Sequence, residues 1–287
     1  MNSDKLKNLT VRTLSGAVLA ALLFGATLLS PWGYMALLAI VTVVGVWEFY
    51  NLCEQCGYAP QRVMGVALAV VLFAFGASIF ASISIARSSL AEVIILASIL
   101  YALVAVPSVF VCELFRKEPH PIANVATTIC GVFYVALPAT LMLAVPEVLN
   151  TVGDWNPWYA LCYILIIWSN DVFAYFAGII FGKHRMCERI SPKKSWEGFV
   201  GGVVAAIAFA LLFGWLLDQS LPLWGGMGAI IAVTGVAGDF VESLFKRSAG
   251  VKDSGSIMPG HGGILDRFDA LFISAPYVLL YLILMNF

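Results

Sequence analysis

VMGVALAVVLFAFGASIFAS, residues 63–82, runs for twenty residues without a charge. At about 1.5 Å rise per residue a helix of this length spans about 30 Å, the hydrocarbon thickness of a bilayer. Runs of the same kind fill most of the chain. Of its 287 residues 61% are hydrophobic and 11% charged, and the mean hydropathy is +0.93. The pattern predicts an all-α polytopic integral membrane protein, because backbone polar groups in lipid must be satisfied within each segment. Nine spans are expected, at about 13–30, 32–50, 63–82, 90–112, 123–145, 158–181, 198–217, 222–244 and 267–286. Ser30-Pro31 separates the first two as a tight hairpin. No A-x-A-like cleavage site follows the first run, which reads as a retained span.

Lys and Arg accumulate in cytoplasmic loops. With the N-terminus inside, 15 of the 16 basic residues fall on inside segments and only Arg87 outside. This predicts nine spans, an N-terminus in the cytoplasm and a C-terminus outside. The two long polar stretches, 182–197 and 245–266, then both face the cytoplasm. The net charge of −1 does not point to a partner, and no nucleic-acid partner is expected. Cys53-x-x-Cys56 has no second pair or nearby His and reads as small apolar filler at a helix end.

Working outward from the apolar runs, one block stands apart. Residues 239–269, DFVESLFKRSAGVKDSGSIMPGHGGILDRFD, hold nine of the 33 charged residues. Charge next to lipid is retained mainly for function. Asp239, Glu242, Ser243 and Lys246 recur at i, i+3, i+4 and i+7, which places them on one helix face. Such a stripe can hold a cation and a phosphate together, or form an internal ion pair. Gly250 to Gly255 is a polar turn, and Pro259-Gly260-His261-Gly262-Gly263 leads into the last helix. Glycines and a helix N-terminus suit a phosphate. His261 can donate to phosphate or hold the loop. Asp266 and Asp269 occupy the first turn of that helix, where acids also complement the helix dipole. If the last two helices pack antiparallel, Asp239 and Asp266 approach one another. Sparse oxygen ligands of this kind suit a hard divalent cation beside phosphates.

Asp171 lies inside the sixth span, and an intramembrane carboxylate is functional by default. After that span comes Ser191-Pro192-Lys193-Lys194-Ser195-Trp196-Glu197-Gly198, in which Ser195 suits either an N-cap or a ligand contact. No G-x-x-x-x-G-K-[ST] loop, G-x-S-x-G elbow or H-E-x-x-H pair occurs.

Ser243, Lys246, Arg247, Lys252, Asp253, Pro259, His261, Gly262, Gly263, Asp266, Arg267 and Asp269 together resemble the signature of the phosphatidate cytidylyltransferase (CDP-diacylglycerol synthase) family. SNDVFAYFAG (169–178) and SPKKSWEG (191–198) also look like family motifs. The resemblance covers about 158–287, which is expected to be the catalytic membrane domain. Residues 1–157 are expected to form a scaffold of five spans that serves dimer contacts and faces lipid. The resemblance implies the reaction of CTP with phosphatidate to give CDP-diacylglycerol and pyrophosphate. It also implies Mg2+, a monovalent cation such as K+ beside it, a homodimer, and a bacterial inner membrane with the site facing the cytoplasm. Asp239 and Asp266 would be the metal carboxylates, with Asp171, Asp253 and Asp269 as further candidates. Asp239, Asp266, Lys252 and Arg267 form the expected catalytic group. Lys193, Lys194, Ser195, Ser243, Lys246, Arg247, His261, Gly262 and Gly263 are the expected substrate contacts. Rival readings are a CTP-using polyprenol kinase and an ion-coupled transporter; the D-G-x2-A-R motif of CDP-alcohol phosphotransferases is absent.

Overall fold

Apolar runs of about twenty residues have only helix or closed barrel open to them in lipid, and this chain takes the helix. The computed structural model describes residues 3–84, 89–150, 155–257 and 262–286. Eight helical stretches are long and apolar enough to cross a membrane. They are α2 (Pro31–Gln55), α3 (Arg62–Ser84), α4 (Ser89–Phe115), the stretch Pro121–Leu149, α8 (Pro157–Phe181), α9 (Trp196–Leu216), α10 (Leu221–Ser248) and α11 (Leu265–Asn286). The first helix, α1 (Ser3–Leu29), carries a shorter apolar stretch, Thr13–Leu29. Eight of the nine expected spans appear in order as helices long and apolar enough to cross, the first run forms the shorter apolar part of α1, and the chain is an all-α integral membrane protein. Arg87, expected on an outside loop, lies outside the described residues.

Helix starts follow local chemistry. Pro31 opens α2 directly after α1, and the Ser30 hydroxyl accepts from Gly33 N at 3.0 Å. Pro157 opens α8, where the Asn156 side chain accepts from Trp158 N at 3.1 Å. Both obey the preference for a polar cap followed by proline, whose missing N–H costs nothing in the first turn.

Two features depart from the sequence expectation. The fifth span is not one straight helix. It runs as α5 (Pro121–Gly131), a π-helical turn over Val132–Ala136, α6 (Leu137–Leu141) and α7 (Ala144–Leu149). Pro138 and Pro146 remove backbone donors there, and a widened turn absorbs such a loss. The second departure is a two-stranded antiparallel hairpin, β1 (Arg185–Cys187) with β2 (Ser191–Ser195), in the loop between α8 and α9.

Small residues set the packing of the last four helices. A β-carbon at Gly202 would lie 2.9 Å from Asn170 O, and one at Gly198 would lie 2.7 Å from Ala174 O, so α9 seats closely on α8. On its other face α9 meets α10, where a β-carbon at Gly228 would lie 2.9 Å from Ala206 O. Gly238 of α10 likewise leaves no room for a side chain against Asp269 O of α11. Close backbone approach through small residues is the usual means of helix association in lipid. The N-terminal helices join the same core. Tyr50 donates to Thr128 O at 2.7 Å and Tyr34 to Met142 O at 2.8 Å, both fully buried. Phe49 and Tyr134 stack edge-on against Phe245 of α10, with centroids 5.8 and 5.3 Å away.

Gly202→Leu forces a side chain into the α8–α9 contact. It should destabilise the fold by about 1–3 kcal/mol, the usual cost of overpacking. Melting of the detergent-solubilised protein, read by size-exclusion fluorescence, should fall by several degrees; an unchanged melting curve would refute the packing.

Candidate active site

The last two turns of α10 and the first turn of α11 come together because Gly238 lets the two backbones touch. Side chains four residues apart then line one face of α10. Ser243 Oγ donates to Asp239 Oδ1 at 3.3 Å, and Lys246 pairs with Glu242 one turn further on. Lys246 also reaches across to Asp266 Oδ1 at 2.7 Å. Lys194 of the hairpin contacts Asp239 Oδ2 at 2.5 Å and lies 4.5 Å above the Phe240 ring.

The register between α10 and α11 brings Asp269 close to Asp239. Ligand atoms of Asp239, Glu242 and Asp269 all lie within 4.8 Å of one another, the group that could hold a metal ion among the described residues. The physical reason is the Gly238–Asp269 contact, which fixes how far the helices slide. Asp266 sits one turn nearer the loop and organises it. Its Oδ2 accepts from Ser254 N at 2.9 Å, Ser254 Oγ at 2.8 Å and Gly263 N at 2.8 Å.

The loop between α10 and α11 is shaped by backbone. Val251 N donates to Lys246 O at 2.9 Å after Gly250 turns at φ +69°. Gly262 turns at φ +82° against the Asp266 carboxylate, a conformation that disfavours any side chain. Pro259 and His261 lie outside the described residues. Lys252 and Asp253 are exposed on the loop, and Asp253 does not join the acidic group, unlike its expectation as a further ligand. Arg247 is exposed at the end of α10, its guanidinium 3.4 Å from Val251 O. Lys193 is exposed on β2, while its carbonyl accepts from Arg185 at 3.1 Å.

Ser195 takes the capping alternative. It is 3% exposed, and its hydroxyl accepts from Gly198 N at 3.2 Å at the start of α9. Glu197 closes the hairpin onto α9 by accepting from the His184 ring at 2.6 Å and from Lys183 N at 3.1 Å.

Asp171 of α8 enters from the side. With Asp266, Arg267 and Asp269 it lines a cavity of about 230 Å³ that Leu19, Leu23, Ile164 and Ile167 also line. The cavity is therefore amphipathic, bounded by α1, α8 and α11.

Charge balance tests whether these residues suit a cation. Five carboxylates (Asp171, Asp239, Glu242, Asp266, Asp269) meet three cations (Lys194, Lys246, Arg267), leaving a formal −2. Like charges this close repel unless a counterion joins them. Glu242 Oε1 is also buried without a hydrogen-bond partner. An all-carboxylate donor set with an orphaned oxygen fits a hard divalent cation.

Two residues at the site, Tyr134 and Glu48, are not among those expected from the sequence, whereas Glu242 belongs to the stripe expected to hold a cation or an ion pair. Tyr134, on the π turn, has a buried hydroxyl without a hydrogen-bond partner, close enough to Asp269, Glu242 and Asp239 to feel their charge. Glu48 of α2 accepts from Leu265 N at 3.0 Å. Its signal is present in the sequence as a carboxylate within an apolar run; Tyr134 gives none, because only the π turn aims it.

The same arrangement has relatives among known proteins. The pattern of the cytidylyltransferase family matches residues 10–285. A phosphatidate cytidylyltransferase of Synechocystis sp. is 31% identical over 302 residues, covering 96% of this chain and 97% of that protein. Its counterpart from Mycobacterium tuberculosis is 31% identical over 281 residues, covering 92% of this chain and 80% of that protein. One from Staphylococcus aureus is 44% identical over 127 residues, 44% of this chain and 49% of that protein. A match over nearly the whole length, on a chain whose last two helices bring a carboxylate cluster and lysines together, shows that it belongs to the cytidylyltransferase family.

Proposed function

We propose that the protein is a phosphatidate cytidylyltransferase, joining CTP and phosphatidate into CDP-diacylglycerol with release of pyrophosphate. The observation that carries this reading is the carboxylate group Asp239, Glu242 and Asp269 set against Lys194 and Lys246, in a chain matched by the family over residues 10–285.

A phosphate monoester has a second pKa near 6 and is mostly dianionic at neutral pH, about −1.5 to −2. Its oxygen is already a nucleophile, so no strong general base is required. That oxygen attacks the α-phosphorus of CTP; the new P–O bond forms as the bond to the β-phosphate oxygen breaks, and pyrophosphate leaves. The protein's task is then to orient two anions and neutralise their charge.

Asp239, Glu242 and Asp269 would hold Mg2+, and Asp266, one turn nearer the loop, completes the anionic wall with Asp171 at its edge. Bound there, Mg2+ supplies neutralisation of charge on the polyphosphate. A monovalent cation such as K+ beside it is proposed from the family resemblance alone. Lys194 is well placed to exchange its Asp239 contact for a phosphate oxygen. Lys193, Lys252, Arg247 and Arg267 are exposed cations around the rim that steer and bind the triphosphate and the lipid phosphate. Lys246, half-buried between Glu242 and Asp266, orients those carboxylates instead of reaching substrate. The amphipathic cavity suits phosphatidate, with its phosphate beside Arg267 and its glycerol end toward Leu19, Leu23 and Ile164.

The charge bias of the loops supports a site on the cytoplasmic face, where CTP is, and the bacterial relatives support an inner-membrane location. A homodimer is proposed from the family resemblance, and light scattering of the purified protein checks it.

Purified protein should release pyrophosphate from CTP, and from none of the other three nucleotides, when phosphatidate and Mg2+ are present. Release of CDP instead would favour the lipid-kinase reading. Chelation by EDTA should abolish turnover, and added Mg2+ should restore it.

Asp239→Asn and Asp269→Asn should each lower kcat by about 10²–10³-fold, the scale of removing one electrostatic contact in a transfer site, while melting changes little. Asp266→Asn should lower kcat and also melting, because Ser254, Gly263 and Lys246 all lose an anionic partner worth about 1–3 kcal/mol. Near wild-type turnover in Asp239→Asn would sink the metal assignment.

A further inference from the structure

Glu48 lies in α2, more than 200 residues from the loop it touches, and is 2% exposed. Its Oε2 accepts from Leu265 N at 3.0 Å, the first residue of α11, and lies 3.4 Å from Ser254 Oγ, whose proton goes to the nearer Asp266. Gly255 and Gly263 lie so close on either side that a β-carbon at either would collide with the Glu48 carboxylate. Two glycines of the loop therefore form a cradle for this one side chain.

The first amides of a helix have no partner within the helix, and an anion placed there also meets the positive end of the dipole. Glu48 supplies that anion to α11 from another helix. Ser254 carries the connection further: its hydroxyl lies 3.4 Å from Glu48 Oε2 and 2.8 Å from Asp266 Oδ2. Asp266 holds Lys246, and Lys246 holds Glu242. A continuous chain of contacts thus runs from α2 through the loop into the carboxylate group. Glu48 Oε1 is buried and without a hydrogen-bond partner, so the site retains a full carboxylate where one acceptor oxygen would serve the two contacts.

We infer that Glu48 is a positioning residue for nucleotidyl transfer: a carboxylate from the N-terminal half that caps α11 and, through Ser254, sets the orientation of Asp266 and the phosphate-facing loop. The inference rests on the transferase reading above. It gives α2 a part in catalysis, beyond that of a scaffold helix, without direct contact with the reacting atoms.

The test uses full-length protein purified in detergent, with CTP, phosphatidate and Mg2+. Glu48→Ala, Glu48→Gln, Glu48→Asp, Ser254→Ala and the Glu48→Ala/Ser254→Ala pair are compared with wild type for kcat, KM for CTP, the Mg2+ concentration giving half activation, and melting temperature. Displacing a site from its working geometry by about 1 Å can cost about 100-fold. Glu48→Ala should therefore lose about 10- to 100-fold in kcat per folded molecule and need more Mg2+. Glu48→Gln, which keeps an acceptor for Leu265 N, should recover most of the rate. The double variant should be no slower than the slower single one, because both changes break the same chain of contacts.

A fall in melting temperature with kcat and Mg2+ requirement unchanged would overturn the inference, as would additive losses in the pair. If Glu48→Ala does not fold, Glu48→Asp decides: one methylene shorter, it should melt near wild type and still lose rate, and an unchanged rate overturns the proposal. An inactive wild type with CTP and phosphatidate would instead overturn the transferase reading, and this inference with it.

Discussion

Lys246 lies half-buried between Glu242 of its own helix and Asp266 of the next, and the site depends on this arrangement. Two carboxylates and an amine at the edge of a membrane bundle are tolerated only when each has a partner. Lys246 partners both acids. It thereby ties the end of α10 to the start of α11 and leaves Asp239, Glu242 and Asp269 converging on one point. Ser254 and Gly263 then fold onto the other oxygen of Asp266. The loop is ordered by a side chain at its end, so its glycines are required for close approach as much as for phosphate.

Around this cluster the membrane helices act as a rigid mould. Gly202 and Gly228 bring α8, α9 and α10 into near backbone contact, and Gly238 does the same for α10 and α11. Because interhelical distance is set by backbone, the carboxylates have little freedom to separate under their mutual repulsion. The resulting charge deficit is what makes the site receptive to a cation. The N-terminal helices add to the mould instead of standing apart from it. Glu48 reaches the loop, Tyr134 packs its ring against Phe245 and Phe272, and Phe49 and Phe245 share the core. Side-chain contacts run across residue 157, as Glu48 with Leu265 and Phe49 with Phe245 do.

Much of this architecture is legible in the sequence. Each of the nine spans is visible as an apolar run, because lipid imposes a length and a composition on every helix that crosses it. The face Asp239–Glu242–Ser243–Lys246 follows from helical period alone, and its members are in contact. The partner of that face does not follow. That Asp269 joins Asp239 and Glu242 is not readable, since a one-turn shift between two helices leaves no mark on either sequence. Ser195 is equally suited to a cap or a ligand until its distance to Gly198 N decides. The hairpin at 185–195 and the π turn at 132–136 have no periodic signature, as each is shorter than the pattern needed to reveal it.

The sequence by itself determined the solvent this protein folds in, the order of its apolar runs, and the family to which its charged block is similar. Those properties are written in hydropathy and local spacing, which neighbouring residues carry without help from the rest of the chain. The tertiary structure alone decided which carboxylates meet, that Lys246 bridges two of them, and that Glu48 caps α11 from more than 200 residues away. These are consequences of how far one helix slides along another. That distance is set by where two backbones can touch, at Gly238 and Asp269, and neither residue states it without the other.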